Sequence, residues 1–378
     1  MDNIVEQEKV VENQEELEIN ENQNEESVYP MDGIKVDKGF YTVYELKRRY
    51  DGKNKRIILD SDFQRENVWK MDRQSELIES VLMGLPLPIF YFNQDRYGRL
   101  IVVDGRQRLT ALFEYMNDQY ALKNLKILPQ FNNKKFSQLL PIYQTRIEDY
   151  QIQAHVILPP TPDRIKFDIF DRVNRGGMQL NKQEIRNALY QGKATKLLNQ
   201  ITESVEFTEA TGGAFVKETR MKDKYLITRF MTFFLFYCGR ITDNTGEKYQ
   251  YRGDIDDFLG RGMDAINGMQ DHEIENLMTV TLNALENSYY YFGKDGFRLV
   301  RDGKRSPINM NVFETIMFIM LWIKKINPQT KNKVREYVLN FITGTEFREN
   351  IGNHRDSAAK LQWRLNEANR IGSIVANL

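Results

Sequence analysis

The sequence predicts an α+β chain: a small mixed α/β domain over residues 31–160, then a helical bundle over 161–378, with an acidic tail over 1–30 in front. Three observations carry this expectation. Ile89-Phe-Tyr-Phe92, Leu100-Ile-Val-Val103 and Gln151-Ile-Gln-Ala-His-Val-Ile-Leu158 are short β-rich runs, the last ending at Pro159-Pro160, and runs of that kind bounded by turn residues are strand signals. After Asp163 the chain changes to long stretches with apolar residues at helical spacing. Residues 1–28 hold ten Asp or Glu against one Lys, a composition that stays solvated and disordered because it has too little apolar surface to bury.

Taken in order, Phe40 to Tyr50 reads as a short strand and helix, and Arg56 to Leu59 as a further strand. From Arg73 to Met83, the apolar residues Leu77, Ile78, Val81 and Leu82 fall on one helical face. Pro86 and Pro88 end that helix and favour an extended chain after it. Asp95-Arg-Tyr-Gly98 is a turn joining the Ile89 and Leu100 strands into a hairpin. Leu109, Leu112, Phe113 and Met116 continue at helical spacing, and the Gln151 strand returns to the same sheet. The helical half is predicted as 163–173, 181–190, 225–237, 255–269, 272–292, 310–326 and 331–341, with a polar loop over 240–254 and no internal repeat.

The formal net charge is +0, but without the acidic tail 52 basic side chains face 43 acidic ones, a body of about +9. The tail is either a solvated extension or a competitor lying across a basic groove. No apolar run approaches the roughly 18 residues a membrane span requires. The opening residues lack the basic and apolar regions of a secretory signal, and the single cysteine, Cys238, excludes an internal disulfide framework. The expectation is a cytoplasmic protein.

The chemistry concentrates in Asp104-Gly105-Arg106-Gln107-Arg108, where the Leu100 strand turns straight into a helix. Helix N-termini present unpaired N–H groups and a positive dipole end to anions, and guanidinium forks match phosphate oxygens. A carboxylate beside such a turn repels phosphate unless it pairs with an arginine or supports a metal. Asp104, Arg106, Gln107 and Arg108 together fit a nucleotide with Mg²⁺. The plainer alternative has Asp104 capping the helix and both arginines solvated.

Further blocks accompany this turn: Phe63-Gln64-Arg65, Trp69, Leu77-Ile-Glu-Ser80, Gly84-Leu-Pro-Leu-Pro88, Asn174-Arg-Gly-Gly177 and Leu180-Asn-Lys-Gln-Glu184-Ile-Arg186-Asn187. In this order they resemble the GmrSD N-terminal domain family of the ParB and sulfiredoxin-like superfamily. Weaker echoes follow at Arg220 to Asp223, Arg229-Phe230, and Arg305 to Glu314. Two positions depart from the family pattern: Arg106 stands where Gln is usual, and Arg175 where Thr is common. Each adds a positive charge at a turn.

The resemblance implies a ParB-like α/β domain whose pocket is lined by Gln64, Arg65, Gly105, Arg106, Arg108, Asn174, Gly176, Gly177 and Arg186, with a nucleoside triphosphate and Mg²⁺ as cofactors. It implies a nucleotide-binding, NTP-hydrolysing sensor of a restriction or phage-defence system, acting on or with DNA and with a partner nuclease. In that role Arg65, Arg106 and Arg108 clamp phosphates, Asp104 supports Mg²⁺ or water, Gln107 positions the attacking water and the Asn174 turn closes the site. Glu184 would orient an arginine or a metal-bound water, although a plain helix salt bridge fits it and Arg186 as well. One alternative is a DNA-binding module without turnover. Another is a Mg²⁺-dependent nuclease using Asp62, Asp104 and Glu184.

Several residues carry two readings. Gly176-Gly177 can cradle an anion or end a helix. Trp69 can stack on a base or pack under the Arg73 helix. Tyr289 to Phe292 with Arg298 to Arg305 can touch nucleic acid, or form a helix end and a charged hairpin. His155, His272 and His354 are scattered without metal-ligand spacing, so a His-Asn-His nuclease is not expected in this chain.

Overall fold

The computed structural model describes residues 34–53, 55–59, 69–173, 181–218, 220–243, 246–299, 306–352 and 356–378. The acidic tail, the Phe63-Gln64-Arg65 block with Asp62, the Asn174–Gly177 turn, Arg301 to Arg305 and Asn353 to Arg355 lie outside the described residues. The chain divides into two compact units that meet at Leu189 and Tyr190.

The first unit is α+β. Its strands are β1 (Val36–Thr42), β2 (Ile57–Ile58), β3 (Phe90–Gln94), β4 (Leu100–Asp104) and β5 (Gln151–Ile157), in the order β1-β5-β3-β4-β2. β1 runs antiparallel to β5, β5 parallel to β3, β3 antiparallel to β4, and β4 parallel to β2. Its helices are α1 (Val43–Asp51), α2 (Met71–Met83), α3 (Arg106–Met116), α4 (Pro141–Glu148), α5 (Asp163–Val173) and α6 (Lys182–Leu189).

Alternation along the strands divides the sheet into two faces. Phe90, Phe92, Leu100, Ile152, Ala154 and Val156 form one core with Leu77, Ile78, Val81 and Leu82 of α2 and Leu109, Leu112 and Phe113 of α3. Ile101 and Val103 are buried outside that core, and α5 and α6 pack against their strand. The unit therefore extends two helices beyond Pro160, the expected end of the α/β domain.

Two polar side chains fix the loops around α2. Gly84 takes the left-handed conformation (φ +73°) that ends the helix. The Tyr150 hydroxyl then accepts from the Leu87 N–H at 3.0 Å and donates to the Leu85 carbonyl at 2.6 Å, pinning the Gly-Leu-Pro-Leu-Pro loop. Glu79, 5 % exposed, accepts from the N–H groups of Ile127 and Leu128 at 2.9 and 2.7 Å. Glu79→Ala orphans both donors and is expected to cost about 2–4 kcal/mol, whereas Glu79→Gln keeps an acceptor and costs about half as much. Urea unfolding of the two variants checks this; equal losses would contradict it.

The second unit is helical: α7 (Lys193–Thr202), α8 (Val205–Thr211), α9 (Lys222–Tyr237), α10 (Ile255–Asn267), α11 (Asp271–Phe292), α12 (Met310–Met320), α13 (Lys331–Thr343), α14 (Thr345–Ile351) and α15 (Ala358–Val375). Every residue of α12 is buried, making it the central element. α12 ends at Met320, six residues short of the expected Ile326. Asn287 of α11 donates to the Met320 and Ile323 carbonyls at 3.3 and 2.9 Å, so a tertiary contact satisfies acceptors that a longer helix would have used itself.

Inside this unit sits a buried ionic cluster. Arg229 of α9, fully buried, pairs through Nε with Glu314 of α12 and through Nη2 with Asp356 at 2.8 Å. Arg364 of α15, also buried, lies 3.8 Å from Glu314 and 3.9 Å from Asp356. Burial alone would push the Arg229 guanidinium down, but Asp356 and Glu314 outweigh it and hold it well above its ordinary value. The downstream echoes at Arg229 and Glu314 thus meet as one structural pair.

Candidate functional site

The Asp104–Arg108 turn is built by three local constraints. β4 ends at Asp104, directly opposite Tyr91 of β3, with a bulge between Tyr91 and Phe92. Gly105 then takes φ +100°, and a Cβ there would lie 2.1 Å from Cδ1 of Phe90. Both the torsion and the close approach require glycine. α3 follows with Gly105 as N-cap and no side-chain cap. Asp104 therefore does not cap the helix.

Asp104 instead pairs with Arg108, one turn into α3, at 2.7 Å. Arg108 is 8 % exposed. Its Nη1 donates to the Pro88 carbonyl, its Nη2 reaches the Ile89 carbonyl at 3.4 Å, and its guanidinium sits 4.0 Å from the Phe90 ring centroid. Burial lowers the Arg108 pKa and the Asp104 charge works against that fall. Two separated sequence blocks, Gly84 to Pro88 and Asp104 to Arg108, are thereby clasped by one side chain. The Asp104 side chain is 36 % exposed, so the carboxylate meets solvent beside the helix start.

Arg106 and Gln107 are half-buried. Gln107 accepts from the Trp69 N–H at 3.2 Å, which ties the turn to the chain just after the Phe63-Gln64-Arg65 block. Trp69 packs partly buried against the first core, with the Arg73 guanidinium 4.4 Å from its ring centroid. Packing by α2 describes it. Gln64, Arg65, Asn174, Gly176 and Gly177 lie outside the described residues.

On α6, Asn181 Oδ1 accepts from the Gln183 and Glu184 N–H groups at 2.9 Å, while Glu184 accepts from the Asn181 N–H at 2.7 Å. This reciprocal capping box starts the helix, so Glu184 has a local structural task. Arg186 is fully buried, with Nη1 on Gln183 Oε1 at 2.8 Å and its guanidinium 5.4 Å from the Phe167 ring centroid.

The remaining candidates lie as follows. His155 stacks on Tyr91 at 5.4 Å. Tyr291 and Phe292 are buried at the end of α11, and Lys331 Nζ lies 4.3 Å from the Tyr290 ring centroid. Cys238 follows the last residue of α9 and is exposed. Among the described residues no group of three or more His, Cys, Asp or Glu could hold a metal, and no helix is long and apolar enough to cross a membrane. Sequence reasoning missed the Glu79 anchor and the Tyr150 pin. Their signals were a carboxylate on the apolar face of α2 and a tyrosine leading into β5.

No curated protein and no solved structure matches the chain. A family model does: residues 46–191 match the GmrSD restriction endonuclease N-terminal domain. That segment, similar to the GmrSD restriction endonuclease N-terminal domain, contains the clasped Asp104–Arg108 turn, the Gly84–Pro88 loop and α6.

Proposed function

We propose that the Asp104–Arg108 turn holds the phosphates of a nucleoside triphosphate, and that the protein is a nucleotide-hydrolysing sensor in a restriction-type system acting with DNA. The observation that carries the reading is the α3 N-terminus: a start without a side-chain cap, approached across a glycine that admits no Cβ, beside a half-exposed carboxylate. Its N–H groups and Arg106 would take phosphate oxygens. Arg108, engaged with Asp104, Pro88, Ile89 and Phe90, acts by positioning: it keeps Asp104 oriented and the 84–88 loop in place.

Mg²⁺ ordinarily binds through one or two carboxylates plus substrate phosphates, and Asp104 fits that demand. When bound, the ion would neutralise phosphate charge at the turn. Gln107, already fixed by Trp69, is placed to orient water.

The test is phosphate release from all four ribonucleoside triphosphates with Mg²⁺, with and without duplex DNA. Asp104→Asn is expected to lower turnover about 100-fold or more, and Arg106→Ala to weaken nucleotide binding about tenfold. Turnover by Asp104→Asn equal to wild type, or no nucleotide binding by wild type, would overturn the reading.

A further inference from the structure

Apart from the turn, the first unit carries a concentration of positive charge that the nucleotide reading does not use. Lys47-Arg-Arg-Tyr-Asp-Gly-Lys-Asn-Lys-Arg56 holds six cations in ten residues. The fold wraps this run around a cleft of about 330 Å³ lined by Arg48, Arg49, Gly52, Lys53, Lys55 and Arg56, where α1 ends and the chain turns towards β2.

The acidic residues of α1 are already spent within the helix. Lys47 pairs with Asp51, and Arg49 with Glu45 at 2.6 Å, the Arg49 guanidinium also lying 5.2 Å from the Tyr41 ring centroid. Arg48, Lys53, Lys55 and Arg56 are exposed, and among the described residues no carboxylate pairs with them. Cations in a helix's last turn complement its dipole, which accounts for Arg48 and Arg49. Lys53, Lys55 and Arg56 lie beyond the helix, with Lys55 Nζ 5.7 Å from the Tyr50 ring centroid. Four like charges around one cleft repel one another unless a polyanion is bound.

We infer that this cleft is a binding site for the phosphate backbone of duplex DNA. The exposed cations sit on separate backbone segments, the end of α1 and the approach to β2, and so can follow successive phosphates. Lys and Arg contacts to phosphate oxygens position DNA and carry no sequence information themselves. The inference stands apart from the nucleotide reading, because none of these residues belongs to the Asp104–Arg108 turn.

The experiment measures affinity of the full chain for a 30-base-pair unmodified duplex across a salt series, with tripolyphosphate as a second probe. Four phosphate contacts give a log–log salt slope of about −3 to −4, and Lys53→Ala/Lys55→Ala/Arg56→Ala is expected to make it shallower by about 2 to 3. These side chains are exposed, so the fold is expected to survive, as far-UV circular dichroism checks. Lys324→Ala/Lys325→Ala, exposed lysines of the other unit, leaves the slope unchanged. A triple variant with the wild-type slope overturns the inference, as does a cleft that takes tripolyphosphate but no duplex. Nucleotide binding is measured on the same samples. If it survives in the triple variant while the DNA slope falls, the cleft and the turn are separate sites; if it disappears with the cleft charges, the assignment to DNA fails.

Discussion

Arg229→Ala is expected to remove about 3–5 kcal/mol from the stability of the helical unit, because it leaves Glu314 and Asp356 without their buried partner. Among the described residues the cluster sets two arginines against two carboxylates. Removing Arg229 takes the nearest cation from the Glu314 carboxylate, which is 4 % exposed. Removing Arg229 and Glu314 together, as Arg229→Met/Glu314→Met, leaves Arg364 facing Asp356 at 3.9 Å and restores the balance. The double variant should therefore lose less than the sum of the losses of Arg229→Met and Glu314→Met alone, a coupling that the double-mutant cycle of these three variants measures. Trp322 and Trp363 both lie in this unit and Trp69 in the other, so fluorescence during urea unfolding, followed in a Trp69→Phe background, reports it. Additive losses would contradict the account.

Gly105→Ala is expected to cost about 3 kcal/mol, combining the left-handed torsion, about 1–2 kcal/mol, with an overpacked contact, about 1–3 kcal/mol. The added methyl would drive into Phe90, the ring on which Arg108 rests, so the Asp104–Arg108 clasp should loosen with it. Gly84 gives the comparison. It has φ +73°, but a Cβ there meets nothing within 4 Å, so Gly84→Ala should cost only the torsion, about 1 kcal/mol. Equal losses at the two glycines would show that contact with Phe90 does not govern the turn.

Much of the fold was legible because periodicity and punctuation agreed. The strands at Phe90, Leu100 and Gln151, and the helices α2, α3, α9 and α11, each announce an apolar run or stripe and a defined stop. α7, α8 and α14 are short, and their apolar positions gain meaning only from neighbours. α15 repeats Leu361, Leu365, Ala368, Ile371 and Val375 at helical spacing and was readable, but polar residues dominate its local composition. The end of α12 could not be read, since a distant Asn287 decides it. At the candidate site the strand–glycine–helix turn was legible from five consecutive residues. What the sequence did not reveal was the use of each charge. Asp104 pairs with Arg108 while keeping a solvent-facing side, Glu184 accepts from its own helix cap and Arg186 is buried. Such pairings depend on which carbonyls and rings tertiary folding brings alongside, here Pro88 and Phe90.

The central claim, that the start of α3 receives nucleotide phosphates, is tested most directly by backbone hydrogen exchange with and without a non-hydrolysable nucleoside triphosphate and Mg²⁺. The account predicts slowed exchange at the amides of Arg106, Gln107 and Arg108, with weaker protection across the Gly84–Ile89 loop that Arg108 clasps. Unchanged exchange at 106–108, or protection confined to 48–56, would contradict it.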